Sequence, residues 1–185
     1  MNPKNNLRTF ICIDFPDEVI KEIARLQNLI YKQKFVGKLT ELENLHVTLK
    51  FLGEIPEETI NKVKEKLKEI KFPELNLKIG EAGTFSIKRN PRIVWIKIKG
   101  DIFNLQKQID KSLNDLFPEE KRFMSHLTIA RIKYTKNSEG FREYISKLKP
   151  KKLQFKTNSF KLKTSELTPK GPIYTIVEEF RSKNI

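Results

Sequence analysis

The two histidines of the chain occupy the same short sequence frame, although they lie eighty positions apart. His46 opens "HVTL" and His126 opens "HLTI", so each histidine is followed by an apolar residue, a threonine and a second apolar residue. Both stretches alternate apolar and polar residues, which is typical of a β-strand with one buried face. Because residues i and i+2 of a strand face the same way, Thr48 is predicted beside His46 and Thr128 beside His126.

Two imidazoles and two hydroxyls on one cleft suit chemistry at a phosphodiester. One imidazole can take a proton from water or a ribose hydroxyl, while the other gives a proton to the leaving oxygen. Both roles are available near neutral pH, because the ordinary pKa of histidine is about 6.5. The threonine hydroxyls can donate hydrogen bonds to phosphate oxygens. Neither motif has Cys, Asp or Glu at ligand spacing, so no metal site is predicted.

The elements around the motifs repeat as well, in the order strand, helix, histidine strand, helix, strand. The halves are predicted over residues 7–80 and 92–156, with a loop from Gly80 to Pro91 between them. Two further strands, joined by "TPKGP", are predicted to form a closing hairpin over 159–180. We therefore predict one domain over 1–185, of the α+β class and bilobal. Its two pseudo-symmetric halves would enclose a central cleft lined by the two histidine strands.

Composition favours a folded protein that attracts polyanions. Lys and Arg number 37 against 23 Asp and Glu, for a net charge of +14. A basic balance permits nucleic acid as a partner, although it also occurs as plain solvated helix faces. Cys12 lies alone in the apolar run "FICI", where it is predicted to be a core residue, and a single cysteine suits a reducing compartment. We expect a cytoplasmic monomer with no membrane segment.

Other residues near the motifs are weaker candidates for the site. Lys50 has the same parity as His46 and is predicted to face the cleft, whereas Leu49 and Phe51 have the opposite parity and are predicted to face the core. Strict alternation turns Arg131 away from His126, so that only a β-bulge would bring this phosphate-binding side chain into the cleft. Phe10 could stack a base, although core packing is the more frequent use of such a residue. Alternation turns Ser125 toward the core.

The motifs and their flanks resemble the 2H phosphoesterase superfamily. "RTFICIDFP", "HVTLKFLGE", "HLTIAR" and the S-x-L-x-P-x-G-P-x-Y pattern of Ser165 to Tyr174 are similar to its RNA 2′,3′-cyclic phosphodiesterase branch, also called the 2′-5′ RNA ligase or LigT-like family. The resemblance spans nearly the whole chain. One departure is Ser125, where proline is common in the family.

The resemblance implies an activity and roles for the residues. His46 would be the proton donor to the 3′ oxygen, His126 the proton acceptor that activates water, and Thr48 and Thr128 the groups that hold the phosphate. The product would be an RNA 2′-phosphate, and no cofactor would be needed. RNA ends bearing 2′,3′-cyclic phosphate, including those of transfer RNA fragments, would be the substrates. With a 5′ hydroxyl in place of water, the same groups would form a 2′-5′ linkage reversibly.

Two alternatives stay open from the sequence. A non-catalytic module that holds RNA ends would use the basic charge without turnover, although binding alone does not need two groups that titrate near neutrality. The same fold could also act on another cyclic or 2′-5′ phosphodiester.

Overall fold

The computed structural model describes residues 6–169 and 171–183. Within that range four helices and nine strands follow one another along the chain. Their bounds are β1 (Leu7–Asp14), α1 (Asp17–Tyr31), β2 (Val36–Leu39), a 3-10 helix (Leu42–Asn44), β3 (His46–Ile55), α2 (Glu57–Lys68), β4 (Leu75–Ile87), β5 (Asn90–Gly100), α3 (Ile102–Ser112), β6 (His126–Tyr134), α4 (Ser138–Ser146), β7 (Gln154–Thr157), β8 (Ser159–Thr168) and β9 (Gly171–Arg181). The predicted α+β class is confirmed. Lys170, in the predicted "TPKGP" turn, lies outside the described residues, as do positions 1–5 and 184–185.

All nine strands belong to one antiparallel sheet with the order β7-β4-β5-β6-β3-β1-β8-β9, to which β2 adds by pairing with β6. The two histidine strands are neighbours at the centre, where Val47 lies opposite Leu127. The helices pack on the face of the sheet that carries the hydrophobic core, and the other face is left for the cleft. In β1, for example, Ile11 and Ile13 join the core.

The chain order of the halves matches the prediction, but their arrangement in space does not. Strand β4 was expected to close the first half, yet it pairs with β5 and β7 of the second half. The hairpin β8–β9 takes the corresponding place beside β1. Each lobe of the sheet is therefore built from both parts of the chain.

Two local predictions need correction. The stretch from Gly80 to Pro91 was expected to be a loop, but β4 continues to Ile87 and β5 begins at Asn90. The Trp95 ring lies against Gly83, where a Cβ would sit 2.3 Å from a ring carbon, so this glycine makes room for the indole rather than marking a loop. Strand β2 was not predicted at all, because four mostly exposed residues give no clear alternation.

Two of the helices begin directly after a proline and bury an apolar face. Pro16 and Pro56 each stand immediately before a helix, and two acidic residues follow in each first turn. The apolar residues at helical spacing in α2, which are Ile60, Val63 and Leu67, are all buried. This packing fixes the strands whose opposite faces carry the candidate site.

Candidate active site

The two histidine strands carry a matching β-bulge directly after the threonine. In β3, Thr48 pairs with Cys12 and Lys50 with Ile11, which leaves Leu49 as the extra residue. In β6, Thr128 pairs with Trp95 and Ala130 with Val94, which leaves Ile129 in the same position. Each bulge reverses the facing of the residues that directly follow it. The fifth residue after each histidine therefore returns to the cleft.

That reversal determines on which face of the sheet the two weaker candidates, Arg131 and Lys50, lie. Arg131 lines the cleft, because the bulge that its inclusion required is present. The prediction that Lys50 faces the cleft is wrong: its side chain is buried on the other face, paired with Asp110 and donating to the Pro118 carbonyl oxygen at 2.7 Å. Phe51, which alternation assigned to the core, is instead 66% exposed and lines the cleft.

Both imidazoles are oriented by the same backbone contact. The distance from Nδ1 to the carbonyl oxygen two residues earlier is 2.8 Å for His46 to Asn44 and 2.7 Å for His126 to Met124. A carbonyl oxygen can only accept, so each Nδ1 carries the hydrogen and each Nε2 is the atom available for chemistry. His46 Nε2 lies 3.1 Å from the Thr48 hydroxyl, which can donate to it.

The strands bring all four motif residues to one cavity of about 660 Å³, lined by His46, Thr48, His126 and Thr128. Val47 opposite Leu127 sets the antiparallel register, so Thr48 comes beside His126 and His46 beside Thr128. The predicted cleft between the two motifs is thus present. Buried Ser125 faces away from the cavity as predicted, and its hydroxyl has no hydrogen-bond partner among the described residues.

The surroundings of the two histidines differ, although their motifs are alike. His46 lies between Phe10 and Tyr174, with ring centroids 5.0 and 5.4 Å away. Burial there lowers the pKa of His46 to about 4, against the hydrogen bond to Asn44, which raises it. His126 instead contacts one aromatic ring, that of Phe85, in a T-shaped arrangement with the ring centroids 5.0 Å apart.

A charged cluster missed by the sequence reasoning lies next to His46. Asp14 pairs with His46 across β1 and β3 and receives hydrogen bonds from Lys163 at 2.6 Å and Lys161 at 2.9 Å. Burial alone would raise the pKa of the Asp14 carboxyl, but these hydrogen bonds outweigh it and hold the pKa below its usual value. Cys12 is buried close by, and burial raises the pKa of its thiol to about 12, so it stays protonated.

The hairpin β8–β9 completes one wall of the cavity. The Asn44 side chain donates to the Pro172 carbonyl oxygen at 3.1 Å, which ties the hairpin to the segment directly before His46. Tyr174 belongs to the S-x-L-x-P-x-G-P-x-Y pattern, so the sequence marked it without giving its contact. Phe10, which also lines the cavity, packs its ring 4.9 Å from that of Tyr174.

The low pKa of His46 predicts how stability changes with pH. The unfolded chain binds a proton at His46 below about pH 6.5, whereas the folded chain binds it only near pH 4, so acid favours unfolding across this window. His46 should contribute about 2 kcal/mol to the fall in the free energy of unfolding between pH 7 and pH 5. Urea unfolding of the wild type and of His46→Gln at both pH values measures this contribution as a difference. An equal fall in both proteins would contradict the prediction.

Neither a membrane helix nor a metal cluster is found in the part of the chain that the structure describes. None of its helices combines the length and apolar composition needed to cross a bilayer. Over residues 6–169 and 171–183, no three His, Cys, Asp or Glu side chains come together as metal ligands would.

The comparisons with known proteins agree with the geometry. The family model described as LigT like Phosphoesterase matches residues 13–95 and 97–174. A Methanocaldococcus jannaschii protein named RNA 2′,3′-cyclic phosphodiesterase is 37% identical over 178 residues, which cover 94% of this chain and 100% of the relative. A crystal structure of a Thermus thermophilus protein matches with a TM-score of 0.81 and 26% identity, covering 95% of this chain and 97% of that one. The fold of E. coli LigT in complex with 3′-AMP is also similar, at a TM-score of 0.76 and 20% identity, with 97% and 99% covered. The chain belongs to the LigT-like phosphoesterase family.

Proposed function

We propose that the protein hydrolyses 2′,3′-cyclic phosphate at the end of RNA and leaves a 2′-phosphate. The relatives named RNA 2′,3′-cyclic phosphodiesterase support this substrate, because the similarity covers nearly all of the chain. The observation that carries the proposal is the pair of imidazoles in one cavity. His46 and His126 each bind a backbone carbonyl through Nδ1, which keeps Nε2 for the substrate.

The proposed reaction needs one water and two proton transfers. The water oxygen bonds to phosphorus as the basic imidazole takes a proton from it through Nε2. The bond from phosphorus to the 3′ oxygen breaks, and that oxygen takes a proton from the other imidazole. The hydroxyls of Thr48 and Thr128, with the Arg131 guanidinium, would donate to the non-bridging oxygens as their charge grows. A 5′ hydroxyl of a second RNA in place of water would give the 2′-5′ linkage instead.

We propose His46 as the proton donor and His126 as the acceptor. With a pKa of about 4 in the free protein, His46 is neutral at pH 7 and does not yet hold the proton that it must give. An anionic phosphate beside the ring favours its charged form and raises the pKa. His46 would therefore take up a proton as the substrate binds. Thr48, whose hydroxyl lies against His46 Nε2 in the free protein, would turn to the phosphate at the same step.

A panel of substrates tests the activity. Adenosine 2′,3′-cyclic phosphate, adenosine 3′,5′-cyclic phosphate and a 2′-5′-linked dinucleotide are incubated with the protein, and phosphorus NMR identifies the product. We expect 2′-phosphate from the 2′,3′-cyclic substrate, at the same rate with EDTA. If only another member of the panel is turned over, the protein acts on a different phosphodiester. If the protein binds RNA but turns over none of the substrates, it is a module that binds RNA ends.

We also propose that one chain suffices for activity and that the protein acts in the cytoplasm on RNA ends such as those of transfer RNA fragments. The cavity supports a monomer, because residues of a single chain supply both imidazoles and both threonines. Light scattering during size-exclusion chromatography of the active protein tests this, and activity confined to a dimer fraction would contradict it.

A further inference from the structure

A second hollow adjoins the catalytic cavity. It measures about 310 Å³ and is lined by Arg8, Thr9, Phe51, Gly53 and Glu54. Arg8 and Phe51 also line the catalytic cavity, so these two side chains lie at the boundary between the two hollows. The second hollow is at the low end of the sizes that hold small organic ligands. The space beside Gly53 is open, because a Cβ built there would meet no atom within 4 Å.

Phe51 offers an aromatic surface at the boundary. The bulge at Leu49 turns this ring out of the core, and two thirds of the residue is exposed. Phe10 supports it from the cavity side, with ring centroids 6.3 Å apart. Exposed rings of this kind stack nucleic-acid bases without strong sequence preference. The equivalent residue of the second motif is Arg131, so the aromatic surface belongs to one side of the cleft.

Charge at the boundary favours a phosphate at Arg8. The Arg8 side chain is exposed, and no ion pair joins it to another residue over 6–169 and 171–183. Glu54, opposite Arg8 in the register of β1 and β3, also lines the second hollow. Its carboxylate disfavours a phosphate there, so the hollow itself suits the uncharged base and ribose of a nucleotide. An internucleotide phosphate would lie between the hollows, against the guanidinium.

We propose that the second hollow is a subsite for the penultimate nucleoside of the RNA, with its base on Phe51 and the internucleotide phosphate on Arg8. The proposal rests on the proposed function and deepens it: the preferred substrate is an oligonucleotide end rather than a cyclic mononucleotide.

The test measures kcat/KM for adenosine 2′,3′-cyclic phosphate and for the RNA dinucleotide of two adenosines that ends in the same cyclic phosphate. The ratio of the second value to the first is then compared between variants. The wild type should prefer the dinucleotide by about 5- to 100-fold, the range that stacking of one base supports. Phe51→Ala should bring that ratio close to one. Arg8→Gln should also lower it, and should reduce the slope of log kcat/KM for the dinucleotide against log salt concentration by about 0.7.

Matched controls separate the subsite from general effects. Tyr31→Ala removes an aromatic residue on α1 that is 71% exposed. Arg89→Gln removes an exposed arginine at the turn between β4 and β5. Neither residue lines either hollow, so both variants should keep the wild-type ratio. Phe51→Leu keeps an apolar side chain without the ring and should lose the preference even if the alanine variant folds poorly. A wild-type ratio near one, or an unchanged ratio in Phe51→Leu and Arg8→Gln, would overturn the subsite while leaving the hydrolase intact. No turnover of either substrate would refute the proposed function and the subsite with it.

Discussion

Replacing His126 or His46 with glutamine should lower kcat for the 2′,3′-cyclic phosphate by about 10²- to 10⁴-fold, the usual contribution of one positioned proton transfer. Glutamine is similar in reach and can donate to the backbone carbonyl that holds each ring, but it cannot transfer a proton near neutral pH. The double variant should be little worse than either single one, because the two groups act in one step. Single-turnover rates, with the fold checked by circular dichroism, give the measurement.

Ser125→Ala is the matched control for the histidine variants. Ser125 lies directly before His126 in the chain, and its side chain is buried. Because its hydroxyl has no hydrogen-bond partner among the described residues, removing it should leave kcat unchanged. A histidine variant that turns over at the rate of this control would remove that histidine from the mechanism.

Replacing Lys50 with methionine should lower the free energy of unfolding by about 3–5 kcal/mol, the usual cost of breaking a buried ion pair from one side. Lys50 and Asp110 are both almost completely buried, and the change leaves the Asp110 carboxylate without its cation. Gln106, which donates to that carboxylate at 2.5 Å, and the Glu120 backbone N–H cannot neutralise its charge. Urea unfolding at pH 7 measures the loss.

The double variant Lys50→Met with Asp110→Asn is the control for this pair. Because it removes both charges, it should recover much of the lost stability. In the folded fraction of either variant, KM should stay near the wild-type value, since Lys50 faces away from the cavity. A raised KM with unchanged stability would instead indicate that Lys50 contacts the substrate.

The bulges set the limit of what could be predicted from the sequence. The motif pairs His46 with Thr48 and His126 with Thr128 were predictable, because each pair precedes the irregular residue and period-two alternation still holds. Beyond Leu49 and Ile129 the alternation reverses, which is why Lys50 was assigned to the cleft and Phe51 to the core. A bulge depends on the register with the partner strand, and a single sequence does not contain that register.

The rest of the site could not be predicted from the sequence, because it is formed by strands that are far apart in the chain. Asp14 meets Lys161 and Lys163 across about 150 positions of chain, and Tyr174 reaches His46 from the last strand. Local patterns predicted each of these strands, but not which strands become neighbours. The same reason explains why β4 was placed in the wrong lobe: its partners β5 and β7 are fixed by the packing of the whole sheet.

The pairing of β1 with β8 also decides when the active cleft can form. A ribosome releases β1 well before β8 and β9, so the edge of β1 that pairs with β8 stays open until residues 159–181 have been made. Contacts between residues so far apart in sequence are closed slowly, and an open strand edge is prone to pairing with other chains. Until β8 arrives, Asp14 also lacks the two lysines that balance its charge. The nascent chain can thus form its helices first, whereas the complete cleft forms only once the β8–β9 hairpin has been made.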